Sequence, residues 1–164
     1  MRDWLPLSGW MQRTIGSHLP DSTTSRISLT LASNDESVLT VERTAEDFAE
    51  RADFDPDTVH NIASAVREAA INAIRHGNAY NTQKQIVAAF EVTSDALTIR
   101  IADQGPGLDP NTLPDPLAPE NLLSPSGRGI FLIRNFMDEV YFRKLRPGTE
   151  IVLIQRRTPA QPLD

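Results

Sequence analysis

The 164-residue sequence contains no cysteine, so disulfides, thiolate metal sites and cysteine nucleophiles are excluded. Lysine is almost as scarce. Only Lys84 and Lys144 occur, and neither stands in the Gly-x-x-x-x-Gly-Lys-Ser/Thr setting of a P-loop, so any phosphate site must be built another way. Arginine supplies the rest of the positive charge, and the formal net charge is −6. The chain therefore lacks the basic field that a non-specific nucleic-acid or anionic-membrane binder needs. Its three histidines, His18, His60 and His76, are too scattered for a zinc cluster. No apolar run approaches the length of a membrane span. The opening "MRDWLPLSGWMQ" is broken by Arg2, Asp3, Pro6 and Gln12 and has no signal-peptide core. These absences lead us to expect a cytoplasmic protein with no membrane or direct nucleic-acid partner. At 40% hydrophobic residues, the length suits one domain with a real core.

What is present reads as alternating helices and strands. Residues 1–25 mix Trp, Pro, Ser and Gly without a period and are expected to form an irregular arm, with Trp4 and Trp10 as candidates to cover a core edge. "RISLTLA" (26–32) alternates as a half-buried strand does. "SNDESVLTVERTAEDFAERA" offers Ser33, Asn34 and Asp35 as caps and places Val38, Val41, Ala45, Phe48, Ala49 and Ala52 at helical spacing. A second helix opens at Asp55 and Pro56 and closes at Gly77. "KQIVAAFEV" and "ALTIRIAD" are strands joined by Thr93-Ser94-Asp95, which reads as a hairpin. A Pro-rich stretch, "LDPNTLPDPLAPENLLSPSGRG", follows without a period and is long enough to imply a functional or disordered loop. "GIFLIRNFM" is helical, and "EVYFRKL" and "TEIVLIQR" are strands turned by Arg146-Pro147-Gly148. "TPAQPLD" is expected to be a frayed tail. The order predicts an α+β fold: a two-layer sandwich with a mostly antiparallel mixed sheet, covered by helices on one face. The expected domain runs over 26–157, with the tail at 158–164.

The second helix carries two stripes. Val59, Ile62, Ala63, Val66, Ala69, Ala70, Ala73 and Ile74 gather on one face as core. Asn61, Ser64, Glu68, Asn72 and Arg75 recur at spacings of three and four on another. One reading of that strip is a solvated face with a Glu68 to Asn72 contact. The other is chemical. An Asn amide oxygen suits Mg²⁺, which takes most of its oxygens from water and phosphates. One turn earlier, Glu68 can accept the proton of a group attacking a terminal phosphate, and Arg75 can offset phosphate charge. His76, near the helix end, reads equally as a capping or packing residue.

Two glycine pairs fit the chemical reading. In "DQGPG", Asp103 ends a strand, where its carboxylate can accept a hydrogen bond from an exocyclic amine such as that of adenine. Gly105 and Gly107 permit close backbone approach and Pro106 stiffens the turn, although the same letters read alone describe an ordinary turn. In "SGRGIFLI", Gly127 and Gly129 precede an apolar helical run, so backbone amides there can hold an anion with Arg128 as a clasp. The plainer reading is a glycine hinge with Ser126 as cap. The Pro-rich loop between the pairs can then act as a lid.

Taken in order, "EAAINAIRHGN", "DQGPG" and "SGRGIFLIRNFMDEV" resemble the N, G1 and G2 boxes of the Bergerat ATP-binding fold, shared by gyrase, histidine kinases and mismatch-repair ATPases. The resemblance is closest to the bacterial anti-sigma-factor serine/threonine kinases and covers about residues 26–156. It implies Glu68 as catalytic base and Asn72 as Mg²⁺ ligand. It also implies ATP binding by Asn72, Asp103, Gly127 and Gly129, and we expect Arg75, His76, Gly105, Gly107, Ser126, Arg128 and Ile130 to line the same ATP site. The implied activity is phosphorylation of a Ser or Thr on an anti-anti-sigma antagonist, alternating with sequestration of a sigma factor, in a homodimer. The lid stretch "PLAPENLLSPSG" is Pro-rich and contains no lysine, and the N-terminal arm has no counterpart in the family. A nucleotide-gated binding module without kinase activity is the alternative. A histidine kinase is disfavoured, because about 25 residues before the first strand cannot supply a phosphoacceptor helical hairpin.

Overall fold

The computed structural model describes residues 24–107 and 125–158. The arm through residue 23, the Pro-rich loop over 108–124 and the tail from 159 lie outside the described residues. In chain order the elements are β1 (Ser25–Ala32), α1 (Asp35–Arg51), α2 (Pro56–Ile71), a π-helical segment (Asn72–Gly77), β2 (Gln85–Val92), β3 (Ala96–Ala102), α3 (Pro125–Phe136), β4 (Glu139–Lys144) and β5 (Thr149–Arg156).

Side-chain caps fix where α1 and α2 begin. Asn34 takes the cap of α1, its Oδ1 accepting from the Ser37 N–H and the Ser37 hydroxyl, each at 3.0 Å. Ser33 and Asp35 do not take that role. Asp55 caps α2 by accepting from the Thr58 N–H at 3.0 Å and the Thr58 hydroxyl at 2.6 Å, with Pro56 at the first helical position. The end of α2 differs from the sequence expectation. The helix does reach Gly77, but its last six residues widen into a π-helical turn, closed by a 2.8 Å bond from the Asn78 N–H to the Ala73 carbonyl.

The strands form one sheet in the order β1-β2-β3-β5-β4. Among the described residues every neighbouring pair is antiparallel, so the sheet is uniform rather than mixed. Both expected hairpins are present. At the first, the Thr93 N–H donates to the Ala96 carbonyl at 2.9 Å; at the second, the Leu145 N–H donates to Gly148 at 2.9 Å. The three helices share one face, with α2 packed between α1 and α3. Alternation sends Ile86, Ala88 and Phe90 of β2, Leu97, Ile99 and Ile101 of β3, and Ile151 and Leu153 of β5 into the layer between sheet and helices. There they meet Val38, Val41, Ala45 and Phe48 of α1 and Ile62, Val66, Ala69 and Ala70 of α2. The Phe48 and Phe90 rings lie 5.5 Å apart at its centre.

The opposite face of the sheet carries cross-strand ion pairs, Arg26 with Glu91 at 2.8 Å and Arg143 with Glu150 at 2.9 Å. At the edge, β1 is more exposed than a half-buried strand. Its Ile27 is 38% exposed although its cross-strand partner Phe90 is fully buried. Among the described residues no helix is long and apolar enough to cross a membrane.

Replacing Asn34 by Ala leaves the Ser37 N–H and hydroxyl without their side-chain acceptor. The expected loss is about 1 kcal/mol. It should appear as a lower urea midpoint with an unchanged slope.

Candidate nucleotide site

The polar strip of α2 does not face open solvent. Asn61, Ser64, Glu68 and Asn72 are half-buried, and only Arg75 is exposed. At Glu68 and Asn72 the start of α3 lies directly over this strip. A Cβ at Gly129 would stand 3.0 Å from Glu68 Oε2 and 3.6 and 3.7 Å from the two Asn72 amide atoms. A side chain at 129 would need the Glu68 carboxylate to give way by a few tenths of an ångström, and glycine avoids that crowding.

Pro125 opens α3, so Ser126 is its second residue and not its cap. Gly127 and Gly129 thus lie inside the opening of the helix, not ahead of it. Arg128 is exposed, Gly129 is buried and Ile130 half-buried. Amides at the opening of a helix point along its axis and attract anions, and here that opening lies next to Glu68 and Asn72.

The second cluster forms around Asp103, which is 8% exposed. Its Oδ1 accepts from the Gly105 N–H at 2.9 Å and the Thr149 N–H at 3.2 Å. The Asp103 N–H in turn donates to the Thr149 carbonyl at 2.9 Å, which extends the β3–β5 ladder to the carboxylate. Burial pushes the Asp103 pKa up, against the two backbone donors and the nearby charge of Lys84. Among the described residues nothing donates to Oδ2.

Oδ2 instead lies against the Gly77 main chain. A Cβ at Gly77 would run into the Asp103 carboxyl, and a Cβ at Gly105 would run into the Gly77 carbonyl. The "DQGPG" stretch is therefore a turn packed face to face on the end of the π-helical segment. Gly107, with φ of +86°, abuts the Gly148 carbonyl at the β4–β5 turn.

One continuous helix thus carries both clusters. Asn72, with Glu68 one turn before it, lies under α3, and Gly77 meets Asp103 at the other end of the π-helical segment. His76 and Arg75 lie between them, exposed, with no hydrogen bond or ion pair among the described residues. No group of three or more acidic, His or Cys side chains that could hold a metal occurs among the described residues. Any Mg²⁺ here would rely on the Asn72 amide oxygen and on the phosphates of its ligand. A single neutral oxygen donor fits that division.

Three contributors were not legible as site residues in the sequence. Thr149 follows a Pro-Gly turn and looks like the start of an ordinary strand; only the β3–β5 pairing brings its amide to Asp103. Gly77 reads as a helix stop, yet its lack of a side chain makes room for the carboxylate. Asn78 ends the "EAAINAIRHGN" stretch with no role assigned to it there, although it is 1% exposed and fully hydrogen-bonded.

Residues 31–155 match the family model of the histidine kinase-like ATPase domain. The protein named serine-protein kinase RsbW in Staphylococcus epidermidis is 31% identical over 141 residues, covering 82% of this chain and 88% of that protein. Its namesake in Staphylococcus aureus is 35% identical over 108 residues, covering 62% and 67%. Among solved structures, the RsbU and RsbW domains of Rv1364c from Mycobacterium tuberculosis align with a TM-score of 0.59 at 17% identity. That alignment spans 82% of this chain and 34% of the longer one, and at this identity it speaks to the fold alone.

The raised pKa of Asp103 makes a stability prediction. A carboxyl whose folded pKa lies above its unfolded value favours the folded state below that unfolded value, and this advantage is lost as pH rises through the folded pKa. At neutral pH the buried carboxylate is therefore a burden. Asp103→Asn, whose Oδ1 can keep both backbone donors, should melt no lower than the parent at neutral pH. In acid the parent should gain on it, as read by thermal melts across the two conditions.

Proposed function

Because the chain belongs to the histidine kinase-like ATPase family, we propose that it is an ATP-dependent serine/threonine protein kinase and anti-sigma factor. In this reading it phosphorylates an anti-anti-sigma antagonist and otherwise sequesters a sigma factor in the cytoplasm. The observation that carries the reading is the closure of α3 onto Glu68 and Asn72 through Gly129. It places an anion-attracting helix start, a carboxylate and an amide oxygen within one contact of each other. The kinase names of the relatives support the same activity.

The two clusters divide the nucleotide between them. Asp103 accepts a hydrogen bond from the exocyclic amine of adenine, with Gly105 and Gly107 forming the floor beside the ring. At the other end the backbone around Gly127, Arg128, Gly129 and Ile130 receives the phosphates, with the Arg128 guanidinium as clasp. Asn72 would hold Mg²⁺, which would supply charge neutralisation at the phosphates. Arg75 and His76, exposed between the clusters, add positive charge along the phosphate path. Glu68 takes the proton from the Ser or Thr hydroxyl of the antagonist as that oxygen bonds to the terminal phosphorus, and the bond from that phosphorus to the β–γ bridging oxygen breaks, with ADP leaving. Its half-buried position against Gly129 keeps the carboxylate pointed at the phosphate end.

The pairing of two copies is proposed to run through β1. This edge strand is eight residues long, carries Arg26 as its only charge, and leaves Ile27 exposed. Such an edge is a template for another strand.

Two measurements test these assignments. Purified protein with Mg-ATP and its antagonist should transfer phosphate, and Glu68→Gln should slow transfer by about a hundredfold or more while ATP still binds. Normal transfer by Glu68→Gln would remove the base assignment, and ATP-dependent partner binding with no phosphoprotein detectable by mass spectrometry would favour a non-catalytic binding module. For the dimer, light scattering should give twice the monomer mass for the parent and monomer mass for Ile27→Lys.

A further inference from the structure

Asn78 is the one polar residue among the largest fully buried side chains of the described core. Nothing in the proposed chemistry uses it. Its amide is nonetheless engaged on every side. The Nδ2 group donates to the Ser33 hydroxyl at 2.8 Å and to the Gln85 carbonyl at 2.9 Å, and Oδ1 accepts from the Gln104 N–H at 2.8 Å.

The partners knit four segments together. Ser33, at the β1–α1 junction, donates its hydroxyl hydrogen bond to the Lys84 carbonyl at 2.8 Å. Gln104, the residue after Asp103, returns its side chain to accept from the Gln85 N–H at 2.8 Å. The first residue of β2 is thus gripped from both sides, by Asn78 through its carbonyl and by Gln104 through its amide. Asn78 is also the residue whose N–H closes the π-helical turn on Ala73, and that wider turn sets where its side chain points.

We propose that Asn78 is a positioning residue for the base end of the nucleotide site, fixing the loop that carries Asp103 against α2 and β2. The proposal rests on the reading of Asp103 as the group that recognises adenine. The Asp103 carboxylate is aimed by its neighbours in the loop. The Gly105 N–H holds Oδ1 from within the turn, and Gly77 sets how closely the carboxyl can approach. Both constraints require the turn to stay seated on Gly77, and the Asn78 to Gln104 bond ties it to the end of α2, beside the Gln104 side chain's own bond to β2. An amide suits the position because two donors and an acceptor are needed in one plane. A carboxylate of the same shape would turn an acceptor toward the Gln85 carbonyl, with a buried charge besides.

A positioning role at the base predicts an effect that depends on the base. Calorimetric titration with Mg-ATP, Mg-GTP and Mg-tripolyphosphate separates base from phosphate binding, because tripolyphosphate has no base. Asn78→Ala is expected to weaken ATP binding by about tenfold, the scale of one lost buried hydrogen bond to the loop. The ATP over GTP preference should narrow, and tripolyphosphate binding should stay as in the parent. Ser33→Ala removes one Nδ2 acceptor without touching the loop, and it should shift ATP affinity in the same direction by a smaller factor. This second variant keeps the test open if Asn78→Ala does not fold. Variants that melt lower but keep the ATP affinity and base preference of the parent would overturn the proposal and leave Asn78 as structural packing. A parent protein that binds ATP no better than tripolyphosphate would overturn it differently, by removing adenine recognition at Asp103 itself.

Discussion

The chain passes over itself at Gly77, where the end of a helix, the end of a strand and a tight turn meet with no room for a side chain. The Asp103 carboxyl occupies the space a Cβ would take on Gly77, and Gly105 rests on the Gly77 carbonyl. This close approach buries a carboxylate that in open solution would be hydrated. Backbone donors from Gly105 and Thr149 compensate part of that loss, and the remainder appears as a raised pKa. A fold arranged only for stability would place an apolar residue there. One oxygen of the carboxylate is satisfied and the other is left without a donor among the described residues, which is what the proposed hydrogen bond from adenine would use.

The same helix makes a second close approach at Glu68 and Asn72, where α3 comes down through Gly129. The two contacts are mounted on one rigid element, α2 with its π-helical continuation, and that element is held by the core from below. Ile62, Val66, Ala69, Ala70 and Ile74 fix its rotation against the sheet. The apolar stripe therefore determines which way the polar stripe faces, and packing energy becomes orientation of the functional groups. The number of alanines in the apolar stripe has a related consequence. Small side chains let α1 and α3 flank α2 closely, which brings the start of α3 within reach of Glu68.

Much of this was readable from the letters. Amphipathic spacing located α1 and α2, alternation located every strand among the described residues, and Asp55-Pro56 marked a helix start because capping chemistry is local. The three boxes in order named the family. Other features were not readable, and each involves a contact between segments distant in sequence. Among Ser33, Asn34 and Asp35, any could cap α1 by composition, and Asn34 does so while Ser33 is drawn toward Asn78 and Lys84. Ser126 resembled a cap, but the helix begins one residue earlier at Pro125. The polar strip of α2 could equally have been a solvated face, and only the seating of α3 decided otherwise.

Sequence alone determined the elements, their order, the two stripes of α2 and the residue types that nucleotide chemistry requires, because these follow from periodicity and side-chain chemistry within short windows. Tertiary structure decided which of those residues meet. The antiparallel pairing of β3 with β5 carried the Thr149 amide to Asp103, the π-helical turn aimed Asn78 into the core, and helix packing set Gly129 on Glu68 and Asn72. Such contacts depend on the rotation and register of whole elements. Rotation and register are fixed by the sum of many weak apolar contacts, which no single stretch of sequence contains.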